Sequence, residues 1–101
     1  MALHIGNFLG VAAASGTRVP ATGALTTVIP ENLHRRAAMI YNFSEAILFL
    51  KLGTNASSND FTVKMGSGSY YEVPLPMYTG SITGIWTATT GSAMVTELTS
   101  D

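Results

Sequence analysis

The sequence predicts an all-β domain, a small β-sandwich or barrel-like fold of about six to eight short antiparallel strands with an extended N-terminal arm. Three observations point there. From Arg36 to Leu98, aliphatic, aromatic and β-branched residues recur in short runs of roughly strand length. Clusters of Gly, Ser, Asn and Pro separate those runs at intervals of about 8–12 positions, the spacing of sandwich turns. Charge is scarce: Asp, Glu, Lys and Arg make up 11% of 101 residues, against about 25% in an average soluble domain. With so few solvating groups, part of the outside is expected to lie against partners.

The elements follow in order. Residues 1–33 read as an extended arm, because Gly6, Gly10, Gly16, Gly23, Pro20 and Pro30 leave no room for a helix of normal length. Two short strands are candidates within it, His4 to Leu9 and Ala24 to Ile29, the second rich in Thr and β-branched residues. An ordered first strand or two of the sandwich is the competing reading of the same residues. A helical turn at Glu31 to His34 competes locally. Residues 34–101 form the sandwich domain. Alternation puts Ala37, Met39, Tyr41 and Phe43 on one face of the first strong strand, and Arg36, Ala38, Ile40 and Asn42 on the other. Both faces are mainly apolar.

Asn42 to Glu45 reads as a turn, and Ile47 to Leu52 returns with Leu48, Leu50 and Leu52 on one side, which makes this the expected hairpin. Gly53 to Asp60 is a loop, because its Asn and Ser side chains satisfy nearby backbone groups. Phe61 to Met65 is a half-buried strand, with Phe61, Val63 and Met65 inward and Thr62 and Lys64 outward. Gly66 to Ser69 bends the chain. Tyr70 to Val73 is a short strand ended by Pro74 and Pro76, each of which withholds a ladder donor. Ser81 to Thr87 and Ala93 to Leu98 close the fold around a turn at Thr89 to Gly91.

Composition narrows the function. Five basic and six acidic residues give a net charge of −1, without the basic stripe of a nucleic-acid binder. The longest apolar stretch, Ala46 to Leu50, is far short of the ~20 residues of a membrane span, so neither nucleic acid nor membrane is an expected partner. The first fifteen residues lack the positive region of a secretory signal. Cysteine is absent, so no disulfide or thiolate metal site staples the domain. At this size, burial barely exceeds the cost of ordering the chain, which leaves contact with neighbouring subunits as the source of added stability.

Chemistry has little to stand on. His4 and His34 are the only imidazoles, and no carboxylate spacing around them completes a zinc site or a triad. Glu45, Glu72 and Glu97 are spread over separate strand ends, and Gly66 to Ser69 lacks the Lys and helix of a phosphate loop. No catalytic, cofactor-binding or metal-binding residue is expected. Asn42-Phe43-Ser44 and Asn55-Ala56-Ser57 match the glycosylation pattern, as short sequences often do by chance.

Arg35-Arg36 is the only adjacent basic pair. Either both are solvated on an edge strand, or one guanidinium binds a carboxylate across a subunit contact. Tyr70, Tyr71, Tyr78 and Trp86 suit core packing, a subunit interface or a stacking platform for sugars. Tyr70 and Tyr71 must point to opposite faces if their segment is a strand.

From Arg36 to Leu98 the chain resembles a family of small bacteriophage virion proteins, chiefly head decoration or capsid cement proteins. The resemblance rests on Ile40-Tyr41-Asn42-Phe43-Ser44, Leu50-Lys51-Leu52-Gly53 and Phe61-Thr62-Val63-Lys64. Above all it rests on Tyr71-Glu72-Val73-Pro74, Tyr78 to Trp86, and Thr89-Thr90-Gly91-Ser92-Ala93. It implies a sandwich, homotrimeric, on the capsid exterior of a virion assembled in the host cytoplasm, bound where subunits of the major capsid protein meet. On that basis Ile5, Phe8 and Leu9 of the arm are expected on the capsid or a neighbouring subunit, and Arg35, Arg36, Tyr70, Tyr71, Tyr78 and Trp86 at capsid or subunit interfaces. Two other expectations remain open, a tail, neck or baseplate component and a carbohydrate-binding module using Trp86 with a tyrosine.

Overall fold

Runs of alternating apolar residues too short for a helix gain stability by pairing with one another. The structure, a computed structural model, describes residues 10–100. They form eight strands and no helix: β1 (Ala13–Pro20), β2 (Thr26–Ile29), β3 (Arg35–Ser44), β4 (Leu48–Leu52), β5 (Val63–Met65), β6 (Tyr70–Glu72), β7 (Ile82–Trp86) and β8 (Gly91–Thr99). The all-β sandwich expected from the sequence is what the chain adopts. One four-stranded sheet has the order β1-β8-β3-β6, the other β2-β7-β4-β5, and every neighbouring pair is antiparallel.

That order has a simple origin. β1 pairs with β8, β2 with β7, β3 with β6 and β4 with β5, so the chain is one long antiparallel ribbon that turns back at the 53–62 loop. Wrapping the ribbon brings β8 against β3 and β7 against β4. The result is a jelly roll, a double-sheet arrangement that leaves few open edges. Inward side chains of the first sheet (Val19, Ala38, Ile40, Ala93, Val95) meet those of the second (Val28, Leu48, Leu50, Met65, Ile82, Trp86) in one core. Gly84 is glycine because a Cβ there would come within 2.8 Å of Leu48 Cδ1 and 3.0 Å of Val28 Cγ2. Gly91 opens β8 with φ of +100°, a conformation side-chain-bearing residues avoid.

Several expectations change. The domain boundary at residue 33 does not hold, because β1 and β2 are ladder-paired strands of the two sheets rather than parts of an arm. The strand expected at His4 to Leu9 lies outside the described residues. Residues 31–34 form no helix; Asn32 makes a single turn in which its carbonyl accepts from Arg35 N–H (3.1 Å) and its Oδ1 from His34 N–H (3.0 Å). β3 and β4 are no hairpin, since they belong to different sheets and the link between them passes from one sheet to the other. β4 and β5 form the hairpin instead. Phe61 is not inward: Thr62 N–H bonds Leu50 O and Thr62 Oγ1 caps Leu52 N–H, so the ladder's alternation stops at Val63. The Phe61 ring lies instead against Phe49, centroids 5.1 Å apart.

Two polar residues hold the sandwich from inside. The chain bulges between Arg35 and Ala37 on β3, which turns Arg35 into the core and Arg36 to solvent. Arg35 donates from Nε to Glu97 Oε2 (2.7 Å), from Nη1 to the carbonyls of Tyr78 (2.8 Å) and Gly80 (3.0 Å), and from Nη2 to that of Pro30 (2.7 Å). It therefore ties β8 to the links before β3 and β7. At the other end of β3, Asn42 Nδ2 donates to the carbonyls of Ala46, Met65 and Gly66, while its Oδ1 accepts from Ser44 Oγ and the Trp86 indole. Those bonds bend the chain from one sheet to the other.

Candidate interaction surface

Because Arg35, Ala38, Ile40 and Asn42 occupy the inner face of β3, its more aromatic face must look outward. Tyr41 and Phe43 stand there, 40% and 53% exposed. Register carries this character across the whole sheet. Arg18 on β1 lies beside Met94 on β8, Met94 beside Tyr41 on β3, and Tyr41 beside Tyr70 on β6. All four are exposed, so a continuous row of aromatic, thioether and guanidinium groups crosses the sheet.

The row is organised rather than loose. The Tyr41 and Phe43 rings are near-parallel at 27°, with centroids 6.2 Å apart, and the Arg18 guanidinium lies 5.8 Å from the Phe43 centroid. At the far end Tyr70 Oη donates to Glu72 Oε2 (2.9 Å). That hydrogen bond, with smaller effects of desolvation and the carboxylate's charge, raises the Tyr70 phenol above its ordinary value. Beside Tyr41 and Phe43 an open pocket of about 410 Å³ is rimmed by Ser44, Glu45, Ser67 and Thr90. The backbone beneath is fixed by Asn42, so the exposed rings sit on a rigid base.

This surface holds one of the residues singled out in the sequence. Tyr70 is exposed and belongs to the row, whereas Tyr71 points inward and packs on the core. Tyr78 also packs on the core and donates its hydroxyl to Ser81 O (3.0 Å). Trp86 is 2% exposed with its indole N–H bonded to Asn42, so it offers no stacking face for a sugar. Arg35 is wholly buried, with its hydrogen-bond partners in its own chain, while Arg36 is exposed. Ile5, Phe8 and Leu9 lie outside the described residues.

Sequence reasoning missed Tyr41, Phe43, Met94 and Arg18. The signal was available in part: Tyr41 and Phe43 do share a face by alternation. What hid it was that both faces of the strand are mainly apolar, so alternation alone does not say which one looks outward.

The surface carries groups suited to binding. Tyr and Arg are the residue types that dominate interface energetics when buried by a partner, and Met is enriched beside them. Among the described residues no group of three His, Cys, Asp or Glu could hold a metal ion, and no helix is long and apolar enough to cross a membrane. Comparison with protein-family models, curated proteins and solved structures returns no match for the chain.

Proposed function

We propose that this chain is a virion structural protein that decorates and stabilises the exterior of a phage head by binding between major capsid protein subunits. The observation that carries the reading is the exposed row Arg18, Met94, Tyr41 and Tyr70 with Phe43 beside it, on the outer face of a sheet whose polar anchors are turned inside. Exposed aromatic and thioether groups set side by side on so weakly charged a chain support a place where another protein sits. The sequence resemblance supplies the partner.

The physics of the task matches. A cement protein adds free energy to contacts between capsid subunits, which calls for apolar area on a rigid base and not for a cleft. Each buried anchor of Tyr type contributes about 2 kcal/mol or more where water is excluded, and association itself offsets much of the total. Many copies on one shell then reinforce each other through avidity.

Copy number in purified particles tests the reading. Hundreds of copies per particle, as an order of magnitude, are expected of a decoration protein, whereas six- or twelve-fold sets would place the chain at the tail, neck or baseplate. Absence from particles, with glycan binding by the isolated protein that Tyr41→Ala abolishes, would replace both with a carbohydrate-binding module.

A further inference from the structure

Each sheet has two edge strands, and an open edge is a template for another strand unless something blunts it. Three of the four are blunted. β6 is three residues long and is followed closely by Pro74 and Pro76. β5 is also three residues and carries the exposed Lys64. β2 has four residues, is irregular between Thr27 and Ile29 and ends at Pro30. β1 is different. It runs for eight residues in unbroken register with β8, Ala13 to Arg18 are all exposed, and its outward side chains Ala14 and Gly16 are minimal.

The direction of its backbone groups follows from the ladder. Ala21 N–H donates to Gly91 O (2.9 Å), and alternation along an antiparallel pair then points the backbone groups of Val19, Thr17 and Ser15 at β8. Ala14, Gly16 and Arg18 must therefore turn their N–H and C=O groups away from the sheet. Among the described residues no backbone hydrogen bond reaches that edge.

We infer that β1 pairs antiparallel with β1 of a second copy of this chain, about a two-fold axis at Gly16. Length selects the occupant, because among the described residues no other edge is long enough to match β1. Hydrogen-bonding parity selects the register: Gly16 lies opposite the partner's Gly16, and Ala14 opposite the partner's Arg18, each pairing exchanging both backbone bonds. Sterics and charge agree with it. No Cβ crowds the axis, and the two Arg18 side chains, the only charges on the strand, never meet. The two four-stranded sheets become one continuous sheet with both aromatic rows on the same side. The contact is isologous, hence a closed dimer in place of the three-fold assembly that the resemblance implies. It stands independently of the virion reading.

Solution mass and amide exchange of the purified full chain test this together. The expected results are a dimer whose Ala14, Gly16 and Arg18 amides exchange slowly, and a twofold fall in mass with fast exchange in Gly16→Pro, whose missing N–H is one the monomer does not use. Ala14→Lys, which adds a charge to the same edge without constraining the backbone, is expected to do the same. A monomer at high micromolar concentration, a trimer, fast exchange at these amides in the native chain, or a dimer that survives both substitutions would overturn the inference. Failure of the dimer leaves the particle copy number untouched.

Discussion

Replacing Arg35 with Met keeps most of the side chain's length and removes its guanidinium. The structure sets the cost. Arg35 is fully buried, and its loss leaves the Glu97 carboxylate and the carbonyls of Pro30, Tyr78 and Gly80 without their donor. Removing one partner of a buried ion pair costs about 3–5 kcal/mol, because the other charge stays uncompensated. The Glu97 side chain is 15% exposed and retains some hydration, which favours the lower end, while the orphaned carbonyls, at about 1 kcal/mol each, push it back up. The expected loss is therefore about 3–5 kcal/mol, a large share of the ~5–15 kcal/mol of a typical domain. Arg35→Lys keeps the charge but presents one nitrogen where the fork reaches both sides, so it recovers only part of this. Arg36→Met, one residue away and solvent-facing, is expected to change stability by less than about 0.5 kcal/mol. Equilibrium unfolding in urea measures all three. A loss below about 1 kcal/mol in Arg35→Met, or an equal loss in Arg36→Met, would refute the reasoning that the bulge sorts the two arginines.

Asn42→Leu leaves the buried Trp86 indole N–H unpaired and takes the amide donor away from the carbonyls of Ala46, Met65 and Gly66, and is expected to cost at least ~2 kcal/mol in the same assay with blurred tryptophan fluorescence. Tyr70 is expected to ionise at higher pH than a free tyrosine, and Glu72→Ala to bring its titration, followed by ultraviolet absorbance, back down, since the carboxylate that favours the protonated phenol is gone.

What the sequence made legible follows the range of the interaction involved. Period-two alternation and the Gly, Ser, Asn and Pro breaks are local, and they place β4, β7 and β8 within about two residues of where they lie. The same signals expected a hairpin after Asn42, because adjacent strands joined by a polar turn usually pair. The Asn42 side chain overrides that preference through partners as distant as Met65 and Trp86, which no local window contains. Arg35 is a similar case. A bulge is defined by two residues opposing one across a ladder, so which of Arg35 and Arg36 goes inside depends on β8, over fifty positions away. Once Arg35 and Asn42 are inside, the outward position of Tyr41 and Phe43 follows. The exposed row depends on the two residues hardest to read from sequence.

The central claim is that this outward row is an adhesive surface. Under the proposed decoration role, co-sedimentation of the purified protein with undecorated phage heads tests it most directly when wild type is compared with the Tyr41→Ser, Phe43→Ser double substitution. Saturable binding by wild type and at least a roughly thirtyfold weaker binding by the variant, at an unchanged unfolding midpoint, are what the account predicts. Equal binding by the two proteins would contradict it.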